Sequence, residues 1–179
     1  MIYFTADTHF NHANIINLNQ RPFSNVEQMN EVLIQNWNSC VGDNDEIYIV
    51  GDFMFNNGTG KEANNILNRL NGVKYLIKGN HDENYLEDED FDEGNFLLID
   101  NYHAFYYNKI KIILFHYPIL EWDNYNSDTI HLYGHVHNCR KFPEQQQRIN
   151  LLGKRAINVG VDVNDYKPIS IEKILKMAG

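Results

Sequence analysis

Lys78-Gly79-Asn80-His81-Asp82 puts an amide oxygen, an imidazole and a carboxylate into one turn, directly after the apolar run of residues 73–77. An amide oxygen can bind a cation, an imidazole can bind one or move a proton, and a carboxylate can hold that ring in one orientation. Four more clusters of this kind flank it: Asp7-Thr8-His9, Gly51-Asp52, His116, and Gly134-His135-Val136-His137. Pooled, the donors Asp7, His9, Asp52, Asn80, His116, His135 and His137 mix carboxylate, imidazole and one amide. That mixture suits Mn²⁺, Fe or Zn²⁺ rather than an all-oxygen Ca²⁺ cage. Seven donors are too many for one catalytic ion with an open position, and they suit two ions if one carboxylate bridges. Two ions roughly 3.5–4 Å apart can hold a hydroxide between them and stabilise the attacking and leaving oxygens of an in-line displacement at phosphorus.

Each signal is weak by itself. A single His at a strand end is more often a satisfied hydrogen-bonding group than a ligand, and an Asp after Gly is ordinarily a turn residue. His135 and His137 are more suggestive, because alternate positions of an extended chain share a face, as do Asp7 and His9. His12 follows the first cluster and is expected either to touch substrate or to stand behind the ligands. Arg21 is a candidate for meeting a phosphate, with pairing to a nearby carboxylate as its commoner fate. His103 and His131 fall within apolar runs and read as structural, and the Gly kink in Asn158-Val159-Gly160-Val161-Asp162 reads as architectural.

The elements that must carry these clusters are legible from periodicity. Residues 2–6, 46–50 and 73–77 read as strands that deliver Asp7 and His9, Asp52, and the central turn. Ser24-Asn25-Val26-Glu27 reads as a capping box opening a helix with Val26, Met29, Leu33 and Trp37 inward, and Thr59-Gly60-Lys61-Glu62 opens another with Ala63, Ile66, Leu67 and Leu70 inward, stopped at Asn71-Gly72. Alternating strand and helix with polar groups gathered at one edge is the pattern of a parallel sheet. Residues 96–99, 102–107, 110–115, 129–133 and 155–161 then read as shorter strands, with a hairpin at Asn108-Lys109, and 170–177 as a closing helix. The fold class expected is α/β (α+β), with a second sheet beside the first, in one domain over residues 1–179.

Composition restricts the setting. The two cysteines, Cys40 and Cys139, form neither a disulfide framework nor a CxxC knuckle, no run approaches the roughly 20 apolar residues of a membrane helix, and the N-terminal residues lack a signal peptide's basic region, so a cytoplasmic protein without membrane contact is expected. Net charge is −9, which ordinarily disfavours nucleic acid. Residues 82–93, however, hold eight of the 24 acidic groups and no basic one, so the rest of the chain, with its 15 bases, is nearly neutral. Eight of those bases, Arg140 and Lys141 among them, lie from residue 140 onward, on the side of the last His cluster. A solvated surface is the ordinary explanation of both stretches, although a basic side would suit an anionic substrate.

The five clusters in this order resemble the calcineurin-like metallophosphoesterase superfamily, and the opening Asp-Thr-His-Phe-Asn-His followed by Arg21-Pro22-Phe23 is similar to small stand-alone phosphoesterases of bacteria and phages. The resemblance implies a two-sheet mixed β-sandwich flanked by helices. It implies one divalent ion held by Asp7, His9, Asp52 and His137 and a second by Asp52, Asn80, His116 and His135, with Mn²⁺ first among Mn²⁺, Fe, Zn²⁺ and Ni²⁺. His81 would face the substrate as catalytic acid, and Asp82 would orient it. The chain departs from the Gly-Asp-x-x-Asp of many relatives at Phe55, which bears on substrate range. The implied activity is hydrolysis of a small phosphomonoester or phosphodiester. A nuclease or cyclic nucleotide phosphodiesterase is the alternative within the class, with a nucleic acid or nucleotide as partner, and a non-catalytic metal-binding scaffold is the rival outside it.

Overall fold

A computed structural model of the chain describes residues 1–56, 58–138 and 143–179; Cys139, Arg140 and Lys141, which enter the cysteine and charge readings above, lie outside the described residues. In chain order the elements are β1 (Ile2–Thr5), α1 (Ala13–Asn19), α2 (Val26–Cys40), β2 (Glu46–Val50), α3 (Gly60–Leu67), β3 (Val73–Ile77), α4 (Glu83–Leu86), β4 (Leu98–Asp100), β5 (Tyr102–Tyr107), β6 (Ile110–Phe115), β7 (Ile130–Tyr133), α5 (Pro143–Asn150), β8 (Ala156–Asn158), β9 (Ile169–Ser170) and α6 (Ile171–Ala178). They build two mixed sheets, ordered β4-β3-β2-β1-β9 and β5-β6-β7-β8. The first is parallel except for β9, and the second is parallel except for the β5–β6 hairpin. That hairpin turns at Asn108 and Lys109, both with positive φ (49° and 69°), which matches the right-handed twist of its strands.

The period of two along β2 divides the core into its two layers. Ile47 and Ile49 face the helices and pack with Leu33, Ile34, Trp37 and Leu67, while Tyr48 and Val50 face the second sheet and pack with Ile112, Leu114 and Leu132. Tyr48 stacks on Phe105 of β5 at 5.2 Å between centroids, so aromatic contact spans the gap between sheets. The sheets are also stitched at their ends. After β8 the chain crosses over, Gly160 bridges to Ala6, and Val161 donates its N–H to the Ala6 carbonyl at 3.0 Å. This crossing puts the segment after β8 against the loop that leaves β1.

Several boundaries differ from the sequence reading, for identifiable reasons. The cap of α2 is Asn25, whose side chain accepts from Gln28 N at 2.8 Å, while Gln28 Oε1 reaches back to Ser24 N, so the capping pair lies one residue later than expected. The Thr59–Glu62 box is present as read, but α3 ends at Leu67, and Leu70 is buried just beyond it. Leu98, not Phe96, opens β4, and β8 stops at Asn158 because the chain must cross to Gly160. Helices α1 and α5 have no counterpart in the sequence reading. Three of the seven residues of α1 are Asn and its cap position, His12, makes no capping bond; α5 buries no residue fully and so lacks the apolar stripe that would reveal it. No helix among the described residues is long and apolar enough to cross a membrane.

His131 of β7 is fully buried, its Nε2 3.2 Å from the Tyr117 carbonyl oxygen, and burial pushes its imidazole down to about 4. In the unfolded chain it binds a proton below about 6.5, in the folded chain only below about 4, so stability is lost as pH falls through that window. In urea titrations, wild type is expected to lose about 2 kcal/mol more than His131→Gln between pH 7 and pH 5. Parallel pH profiles for the two proteins would contradict this assignment.

Candidate metal centre

Loops at one edge of the sandwich carry the chemistry, and they do not separate when their strands end. Asp7 N donates to Gly51 O, His9 N to Asp52 O and Phe10 N to Phe53 O, each at 3.0 Å, so the loops after β1 and β2 continue side by side. Gly51 adopts φ +87°, and a Cβ there would come within 2.2 Å of His116 Nδ1. A Cβ on Gly79 would meet Asp52 Oδ1 at 2.2 Å. Only glycine fits at either place. Asp7, His9, Asp52, His135 and His137 all have left-handed backbones, with φ between 45° and 69°. Left-handed non-glycine residues are strained and gather at functional sites. The extended geometry assumed for Asp7 and His9 is therefore corrected: they reach one place by turning, not by alternation.

All seven sequence candidates meet in two adjacent groups. One donor atom each from Asp7, His9 and His137 lies within 4.8 Å of the others, and the same holds for Asp52, His116 and His135. Asn80 Oδ1 joins the second group, 3.2 Å from His116 Nε2 and 3.0 Å from His135 Nδ1. Asp52 Oδ2 stands between the groups, 3.4 Å from His116 Nε2 and 3.6 Å from His9 Nε2. His135 and His137 thus separate into different groups, contrary to the shared face read from their alternation.

The donor set fits divalent ions on this geometry. Both ring nitrogens of His9 are buried without a hydrogen-bond partner among the described residues, a costly state for an imidazole unless a cation completes it. His116 turns Nε2 inward by directing Nδ1 to the Val50 carbonyl at 2.9 Å, and His137 directs Nδ1 to Asp162 Oδ2 at 2.7 Å. Such outward bonds fix tautomer and ring orientation in metal sites. Burial alone would lower His116, yet the hydrogen bond to Asp52 and the nearby Asp7 and Asp52 charges raise it to about 9. Burial would likewise raise Asp52, but the His116 bond and charge hold it down to about 2. Asp7 is pushed up to about 6, chiefly by burial. An entering cation must displace protons from this set.

Asp82 occupies a place other than that expected, and Arg21 and His12 each take one of the two places open to them. Asp82 does not orient His81. Its carboxylate is buried and accepts from Asp52 N, Phe53 N, Gly79 N and the Tyr85 hydroxyl at 2.7–3.1 Å, tying the β2 and β3 loops together. Asn56 Oδ1 instead meets His81 Nδ1, at 2.6 Å. Arg21 is buried and bonded within the protein: Nε and Nη2 pair with the two oxygens of Asp162 at 2.9 Å, and its other bonds reach the carbonyls of Asp7 and Thr8 and Met29 Sδ. His12 is buried and stacks on Phe55 at 3.5 Å, 5.4 Å from the His9 ring, so it stands behind the site. The sequence reading missed Asn56 and Asp162. Asn56 follows the position where a carboxylate was sought. Asp162 follows the Gly160 crossing, where an acid two residues beyond a glycine was the available sign.

A metal-binding loop edge on two mixed sheets flanked by helices defines the metallophosphoesterase fold, and residues 1–112 match the calcineurin-like phosphoesterase family model. The chain belongs to that family. It is 39% identical over 177 residues to the uncharacterized protein MJ1445 of Methanocaldococcus jannaschii, covering 98% of this chain and 90% of that one. The crystal structure of the protein of unknown function AQ665 from Aquifex aeolicus superimposes with a TM-score of 0.73 at 32% identity, covering 99% of this chain and 98% of that one. Gene 66 protein of Mycobacterium phage L5 is 32% identical over 81 residues, 45% of this chain and 39% of that protein.

Asp162 is held by Arg21 and itself holds His137, so Asp162→Asn should loosen one donor group without touching the other. Affinity for one of two divalent ions, that of the group with His137, is expected to fall about 10–100-fold, read by competition with a chelator. Two unchanged affinities would show that the His137–Asp162 bond has no part in metal binding.

Proposed function

We propose that the protein is a dinuclear-metal phosphoesterase that hydrolyses a small phosphomonoester or phosphodiester by in-line displacement. The observation that carries this reading is Asp52 Oδ2, within 3.6 Å of imidazole nitrogens from both donor groups, as a shared carboxylate of two ions would be. One ion would be held by Asp7, His9, Asp52 and His137, the other by Asp52, Asn80, His116 and His135, with Mn²⁺ first and Fe, Zn²⁺ or Ni²⁺ as alternatives. Bound there, the ions supply a nucleophilic water at neutral pH and neutralise charge on the phosphoryl oxygens.

The protein's own part in catalysis falls to His81. Its ring lies 5.3 Å from the His9 ring and its backbone N–H donates to Asp52 Oδ1 at 2.9 Å, so the carboxylate that serves both groups also fixes where His81 stands. With Nδ1–H given to Asn56, Nε2 is left to hold a proton and pass it to the leaving alkoxide. Asp82 acts at one remove, by keeping the Asp52 and Asn80 loops in register, and Arg21 by securing Asp162.

The test is hydrolysis of 4-nitrophenyl phosphate and bis(4-nitrophenyl) phosphate, in metal-stripped buffer and with Mn²⁺. Turnover should require the ion and fall by more than about a hundredfold in Asp52→Asn. His81→Ala should keep its metal and lose roughly 10²–10⁴ in kcat on esters with poor leaving groups, and less on nitrophenyl esters, whose phenolate departs without a proton. Bound metal with no turnover of any ester would sink the enzyme reading in favour of a scaffold.

A further inference from the structure

A cleft of about 390 Å³ opens beside the second donor group, between the segment after β6, the segment after β7 and α5 with the turn that follows it. That size is within the range of small-molecule sites. His135 forms its inner wall, and the Tyr117 ring lies edge-on to the His135 ring at 4.6 Å, so cleft and candidate centre are continuous. The rest of the lining is largely apolar, with Leu120, Val136, Ile149 and Leu151 and, among the described residues, a single cation, Arg148. Leu120 and Leu151 are 60% and 73% exposed, so two leucines of this cleft stand open to solvent beside a candidate site for anions.

His81 is placed elsewhere. Its ring packs 5.3 Å from His9, in the first group, and 5.1 Å from Phe55, which is stacked on His12. If His81 protonates the departing oxygen, the leaving group lies over the first group, and the cleft beside His135 can be reached only by a substituent that stays on phosphorus. A monoester has no such substituent: its remaining oxygens are anionic and gain nothing from leucines. Resting on the hydrolytic role of the site, we infer that the substrate is a phosphodiester whose retained ester carries an apolar ring, aryl or nucleobase, bound in this cleft. The P–O bond on the His81 side breaks and its oxygen takes the proton of His81 Nε2, the water oxygen bonds to phosphorus and releases a proton to solvent, and the retained ester bond survives, giving a monoester and an alcohol.

The experiment holds the leaving group constant. With Mn²⁺ present, kcat/KM is measured for 4-nitrophenyl phosphate and for its methyl, phenyl and thymidine-5′-yl diesters. The phenyl or thymidine diester should exceed the methyl diester by roughly tenfold or more, the value of burying one ring, and both should exceed the monoester. Which of the two leads distinguishes an aryl from a nucleobase pocket. In Leu151→Asp and Leu120→Asp, exposed positions where folding is preserved, that preference should collapse toward unity. Turnover in which methyl and ring-bearing diesters are equal, in which the monoester leads, or in which both variants keep the preference overturns the inference and leaves the phosphoesterase standing. If no ester turns over, calorimetric titration of diphenyl against dimethyl phosphate decides. Tighter diphenyl binding that Leu151→Asp abolishes keeps the cleft and rejects hydrolysis, whereas equal binding rejects both.

Discussion

The site depends on one buried carboxylate that makes no contact with the proposed chemistry. Asp82 accepts four hydrogen bonds, three from backbone N–H groups of the loops after β2 and β3 and one from the Tyr85 hydroxyl. Burial and the neighbouring Asp52 charge push Asp82 up, and the backbone donors pull it back. A carboxylate in such a place is tolerable because every lone pair that matters is occupied. Cutting it loose would leave several buried donors without partners, and those donors belong to the loops that carry Asp52, Asn80 and His81. Gly79 follows from the same constraint, since the loops approach so closely that no side chain fits between them.

Rigidity of this kind allows strain to persist. Five of the seven donor residues sit in left-handed backbone, each at a cost of order 1–3 kcal/mol. The sandwich below offsets that cost with two apolar layers on either side of β1, β2 and β3. The loop after β1 is pinned by three consecutive bonds to the loop after β2 and by the Arg21 guanidinium on the carbonyls of Asp7 and Thr8. Strained donors aimed inward by a stiff scaffold are what a metal site with fixed geometry needs.

Local chemistry was legible in the sequence wherever it depended on type and spacing. The strands ending at Thr5, Val50 and Ile77, the box at Thr59–Glu62 and the gathering of the seven candidate residues at one edge could be read, because periodicity and polar punctuation at strand ends are local signals. What could not be read depends on the chain returning to itself. Carboxylate pairing was the commoner fate read for Arg21, but nothing near it in sequence revealed that the partner is Asp162, 141 residues away. Asp82 looked like the partner of its neighbour His81, although a turn aims adjacent side chains apart, and Asn56 took that place from 25 residues away. Helix α5 carries no apolar stripe, so its presence beside the cleft has no local sign.

Charge balance explains why Arg21 is hidden and why cations belong in the centre. Four carboxylates, Asp7, Asp52, Asp82 and Asp162, are clustered and buried here, against one permanently charged group, the Arg21 guanidinium. Asp162 spends its charge on Arg21 and His137, which leaves Asp7 and Asp52 to be neutralised from within the site. Without ions the protein does this with protons: His116 is raised to about 9 beside Asp52, His137 is raised by Asp162 and Asp7 against its burial, and Asp7 itself rises to about 6. Two divalent ions would take over the same neutralising role with more charge to spare. The excess positive charge, surrounded by buried imidazoles, would then attract a phosphate without calling on the Arg21 guanidinium, so Arg21 is free to serve as a brace.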